Sequence, residues 1–137
     1  MRVYVDGSAL TRFLADVRGS GEWRAWVHEH GDQLLVSQLS VTELRVATLS
    51  ATSADRVHAR DQADALEVVR FSDQAIGTAT TVTGVLSPFA ALHLGVAVAH
   101  PEVRAVATYH GRLATVAAIH GLDVVAPGLR PGWWDGP

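Results

Sequence analysis

The sequence predicts a three-layer α/β/α domain with a mainly parallel central sheet, and three observations carry that expectation. Short apolar runs alternate along the chain with segments of helical periodicity, in the order strand, helix, strand, helix. Strands separated by helices need crossover connections, which cover both faces of a parallel sheet. A length of 137 residues, 48% of them hydrophobic and 18% charged, suits one core and leaves no room for two. Residues 1–128 are read as the domain and 129–137 as a loosely attached C-terminal tail.

Each element has its own signal. Arg2 to Val5 is a β-branched run that stops at Asp6-Gly7-Ser8, residues that end a strand and cap a helix. From Ser8, Leu10, Phe13, Leu14 and Val17 recur at three- and four-residue spacing and predict one amphipathic helix as far as the Gly19-Ser20-Gly21 break. A second helix carries Trp23, Trp26 and Val27 and ends at Gly31. Leu34-Leu35-Val36 has the length of a buried strand, and Ser40-Val41-Thr42-Glu43 follows it with the pattern of a capping box. Ser53 to Ala65 reads as a solvated helix, Leu66 to Phe71 as a third strand, and Asp73 restarts a helix. Ser87-Pro88 places a capping hydroxyl before a first-turn proline, so Phe89 to Ala99 is a buried helix closed by His100-Pro101. Val103 to Thr108 is a strand, Arg112 to His120 a helix stopped by Gly121, and Asp123 to Val125 a last strand.

Composition narrows the function classes. The longest weakly polar stretch, Val85 to Ala99, is interrupted by Ser87, Pro88 and His93 and is too short to cross a bilayer, so no membrane partner is expected. Met1-Arg2 runs straight into the first strand without an apolar signal core, and the chain has no cysteine, which together place it in the cytoplasm. The net charge of −3 gives no overall attraction to nucleic acid, so any such contact needs a local patch. All eleven basic residues are arginine. Arg12, Arg18, Arg45 and Arg112 lie on helices around the expected ligand edge, where they read either as phosphate or partner contacts or as solvated helix faces.

In a parallel sheet, ligands gather beyond the carboxyl ends of the strands, which singles out Asp6. Its carboxylate reads as a helix cap or as a ligand for a hard divalent cation. Glu43 reads as the closing residue of the capping box or as a second acid of the same site. His93, on a buried helix, reads as a hydrogen-bonded core residue. Trp23 and Trp26 share a helix face and read as core or as an apolar partner surface; Trp133 and Trp134 have no assignment.

Taken together, Val3-Tyr4-Val5-Asp6-Gly7-Ser8-Ala9-Leu10, Ser40-Val41-Thr42-Glu43-Leu44, Ala91-Leu92-His93-Leu94 and Ala107-Thr108-Tyr109 with Gly111-Arg112-Leu113 resemble PIN domains, and VapC-type toxins in particular. The resemblance covers Arg2 to about Gly128. It implies an endoribonuclease of a toxin–antitoxin pair, dependent on Mg²⁺ or Mn²⁺, with RNA as substrate, a cognate antitoxin as partner and a homodimer as the assembly. It also implies that Asp6 and Glu43 are catalytic, metal-binding acids and that Ser8 and Thr108 support them. The family's third acid falls on Ala90 and its fourth on His110, so the acid set departs from the pattern twice. Two carboxylates leave a hard cation held mainly by its own waters, which implies weakened or lost activity. His110 as a nitrogen ligand is a counter-reading that shifts the preference away from Mg²⁺. A catalytically silent module that binds RNA or a partner protein is the alternative function.

Overall fold

The computed structural model describes residues 1–136; Pro137, the last residue of the expected tail, lies outside them. Five strands form one all-parallel sheet: β1 (Arg2–Val5), β2 (Leu34–Ser37), β3 (Glu67–Val69), β4 (Val103–Ala107) and β5 (Asp123–Val125). Their order across the sheet is β3-β2-β1-β4-β5. The chain therefore travels outward from β1 through β2 to β3, then crosses back to the other flank of β1 for β4 and β5. That reversal puts the switch point between β1 and β4, where a crevice opens at the strands' carboxyl ends.

Alternation along the strands divides the core in two. Val3 and Val5, Leu34 and Val36, and Ala105 and Ala107 face α1 (Gly7–Leu10), α2 (Ser20–His30), α3 (Gln38–Thr48) and α4 (Ser53–Asp64), with Phe13, Trp23 and Leu44 filling that layer. Tyr4, Leu35 and Val106 face α5 (Asp73–Thr81), α6 (Pro88–Ala99) and α7 (Gly111–Ile119). The three-layer expectation is met, with the helical faces exchanged where the strand order reverses.

Three local expectations differ. The helix expected through Val17 stops at Leu10 and gives way to a 3₁₀ turn over Thr11–Phe13, after which Leu14 is extended. Tertiary bonds capture the chain there: Asp55 accepts from the Ala15 backbone N–H at 2.9 Å, and Arg24 donates to the Phe13 carbonyl. The capping residue of α3 is Ser37, whose hydroxyl accepts from the Ser40 N–H, and not Ser40 itself. Glu43 therefore lies well inside the helix and has no part in its cap. The tail is not loose over its described length: Trp133–Asp135 form a 3₁₀ turn against α7, with the Trp133 ring beside Gly111 and edge-on to Trp134. Trp23 is fully buried and stacks on the partly exposed Trp26, so the indole at 23 belongs to the core. No helix among the described residues is long and apolar enough to cross a membrane.

Candidate active site

Asp6 follows β1 directly and caps α1, its Oδ1 accepting from the Ala9 N–H at 2.9 Å. The cap is only part of its role. Thr108, which follows β4, donates its hydroxyl to Oδ2 at 2.6 Å, and Ser8 shares its single proton between Oδ1 at 2.7 Å and Oδ2 at 3.0 Å. Both hydroxyls are themselves oriented by backbone: Tyr109 N–H donates to Ser8 Oγ at 2.8 Å and His110 N–H to Thr108 Oγ1 at 3.0 Å. The two residues expected to support Asp6 thus hold it across the β1/β4 switch point. Burial pushes the Asp6 carboxyl above its ordinary range, against the opposing pull of His93 and of the bonds from Thr108, Ala9 and Ser8.

Glu43 reaches the same place from α3. A Cβ built on Gly7 would lie 2.5 Å from both Cβ and Cδ of Glu43 and 2.7 Å from its Oε1, so the acid rests on the backbone next to Asp6. Its side chain is 34% exposed. Oε1 pairs with Nε2 of His93 from α6, and His93 Nδ1 lies 2.6 Å from the Tyr4 hydroxyl. Tyr4 also meets Ser37 Oγ at 2.8 Å and Ser40 Oγ at 3.2 Å, while Ser40 donates to the Val5 carbonyl at 2.7 Å. Burial raises the Tyr4 hydroxyl well above the usual phenol range. His93 is the buried, hydrogen-bonded residue the sequence implied, but its link to Glu43 escaped the sequence; three-residue spacing from Ala90 on one helix face was the available signal.

Ala90 is buried in the first turn of α6, where Ser87 caps the helix. His110 caps α7, its Nδ1 accepting from the Leu113 N–H at 3.2 Å, which occupies one of its two ring nitrogens. Among the described residues no group of three or more His, Asp or Glu side chains is placed to hold a metal ion. Glu102 precedes β4 and Asp123 opens β5, at the opposite ends of the strands. The arginines divide. Arg12 stacks over the Tyr109 ring at 4.1 Å and donates to the Ser8 carbonyl at 2.8 Å, bracing the backbone behind the acids. The Tyr109 hydroxyl, which donates to the Pro127 carbonyl at 2.7 Å, is pushed up to about 12 by burial in spite of that guanidinium. Arg45 is exposed on α3, and Arg112 donates to the Val85 carbonyl at 3.3 Å beside an apolar cavity that contains neither acid.

A surface cavity of about 510 Å³ around Phe13, Val27, His58 and Leu66 also contains neither acid. A groove of about 440 Å³ runs over Gly7, Ser8 and Glu43 between Thr42, Val46 and the exposed Phe89.

Ribonuclease VapC47 of Mycobacterium tuberculosis (strain CDC 1551 / Oshkosh) is 30% identical to this chain over 132 residues, which is 92% of the chain and 97% of that protein. The chain belongs to the VapC family. No family model matches it. Within this VapC fold the acid pair tests the fit of a divalent ion. Asp6 has three donors on about four acceptor positions, and Glu43 Oε2 has no protein partner among the described residues. Such a pair would fit a hard divalent cation such as Mg²⁺ or Mn²⁺.

Two substitutions probe this arrangement. Asp6→Asn removes a carboxyl whose folded pKa is raised, so the parent's stability contribution is complete below its unfolded value of 3.8 and is lost as pH rises through the folded value. Melting temperatures measured against pH are expected to show the difference between variant and parent moving in the variant's favour as pH rises from about 4. Gly7→Ala drives a methyl into Glu43 Cβ, which cannot rotate away, and is expected to lower unfolding free energy by about 1–3 kcal/mol in urea titrations.

Proposed function

We propose that this protein is a VapC-type toxin: an endoribonuclease that hydrolyses RNA phosphodiesters with Mg²⁺ or Mn²⁺, weakened by the absence of acids at Ala90 and His110. The observation that carries the reading is Glu43 lying against the backbone of Gly7, the residue after Asp6, at the switch point of the sheet. The relative's name supports RNA as substrate. A bound ion would polarise the phosphate and lower the pKa of an attacking water.

This chain's own residues supply the positioning. Asp6 and Glu43 would hold the ion, Asp6 fixed by Ser8 and Thr108 and Glu43 by His93. Preset carboxylates need no rearrangement when substrate arrives. Exposed Phe89 and Val46 wall the groove and offer it apolar surface. As in other VapC systems, a cognate antitoxin silences the protein, which acts as a cytoplasmic homodimer.

A catalytically silent module that binds RNA or the antitoxin is the second reading, favoured by the lack of a third acid beside Asp6 and Glu43. Calorimetric titration with Mg²⁺ and Mn²⁺, followed by incubation with structured RNA, separates the two. Cleavage by the unaltered chain that disappears in Asp6→Ala establishes the nuclease. RNA binding without cleavage at saturating metal establishes the silent module.

A further inference from the structure

We infer that His93 is a positioning residue: buried, with its Nδ1 engaged by Tyr4, it presents Nε2–H to Glu43 and fixes the second acid from a helix that contributes no acid itself. The inference rests on reading Asp6 and Glu43 as the acid pair, and it follows from the geometry of a buried network.

A carboxylate only accepts, so the proton between Glu43 and His93 sits on Nε2. The other ring nitrogen, Nδ1, meets the Tyr4 hydroxyl 2.6 Å away. Tyr4 is itself held by Ser37 Oγ at 2.8 Å and by Ser40, whose own proton goes to the Val5 carbonyl at 2.7 Å. An unbroken line of hydrogen bonds runs from Ser37 through Tyr4 and His93 to Glu43. Tyr4 is 0% and His93 3% exposed, so water does not compete for these bonds.

The result is a clamp. Glu43 is held between the Gly7 backbone and the imidazole edge, with Oε1 engaged and Oε2 left for the groove that the residue lines. His93 lies one helical turn beyond Ala90 on the same buried face of α6. The helix that lacks a carboxylate at 90 thereby still sets the position of the acid opposite. Ligand-orienting partners of this kind commonly change metal affinity by about 10–100-fold when removed.

The test has one arm without metal and one with Mn²⁺. In ¹⁵N-histidine NMR of the metal-free, full-length protein, His93 is expected to carry its proton on Nε2, with a slowly exchanging signal that Glu43→Ala abolishes. A proton on Nδ1 alone, or a signal indifferent to Glu43→Ala, overturns the inference. For Mn²⁺ titration, His93→Gln keeps an amide donor at the Nε2 position, whereas His93→Asn is too short to reach Glu43. The Gln variant is expected to stay within about twofold of the parent's affinity and the Asn variant to fall by about tenfold. Equal affinities in variants of equal melting temperature overturn the positioning role. If the unaltered chain binds no Mn²⁺, the metal reading of the site fails, and the NMR arm alone then decides the role of His93.

Discussion

A chain carrying both Ala90→Asp and His110→Asp is expected to bind Mn²⁺ about tenfold more tightly than the parent and to cleave RNA at least about a hundredfold faster. Both changes enter at positions where a carboxylate suits the local backbone. Residue 90 is in the first turn of α6, where negative charge is favoured by the helix dipole, and its face leads to His93 and Glu43. Residue 110 is the cap of α7, and Asp is as good a cap as the imidazole it replaces. The fold should therefore tolerate the pair, and its melting temperature serves as the control. Acids that act on one ion are not additive, so each single variant is expected to recover much less than both together. Unchanged affinity and rate in a folded double variant would show that positions 90 and 110 have no access to the ion.

Gly95→Ala is expected to be the most damaging small substitution in the molecule. A Cβ at Gly95 would lie 2.2 Å from the Ala75 carbonyl oxygen, 3.1 Å from the carbonyl carbon and 3.3 Å from the Ala79 nitrogen. Those are backbone atoms of α5 and cannot rotate away. Ala75 and Ala79, both buried, complete a seam of small residues along which α5 and α6 approach closely. Separating the helices opens the core they share with Leu35 and Val106, so the loss is expected at or above the upper end of about 1–3 kcal/mol. Chemical denaturation measures it directly. Because α6 also carries His93, Mn²⁺ affinity should fall in parallel; a Gly95→Ala protein as stable as the parent would contradict the packing described.

The sheet, its parallel sense and most helix positions are legible in the sequence because period-two and period-3.6 patterns are local. Asp6 was legible for the same reason, as the first polar residue after an apolar run. Glu43 was ambiguous, as the end of a capping box on Ser40 or as a second acid; the structure gives the cap to Ser37 and turns Ser40 to Tyr4 and Val5. The ambiguity is resolved by Tyr4, whose hydroxyl meets both serines and whose strand supplies the carbonyl that takes the Ser40 proton. The early end of α1 was not legible, since Leu10, Phe13, Leu14 and Val17 keep helical spacing while Asp55 and Arg24, distant in sequence, redirect the backbone. The Tyr4–His93–Glu43 line was hidden for the same reason: its members come from β1, α6 and α3.

The central place of β1 has a consequence for synthesis. Its right-hand neighbour, β4, begins a hundred residues later, and the Thr108 hydroxyl that secures Asp6 comes later still. A ribosome-bound chain that has not yet delivered this stretch leaves one side of its first strand unzipped and its acid without the bond from Thr108. Closure of the sheet is thus a late event set by long-range pairing, and the surroundings of Asp6 are completed only after β4 has been made.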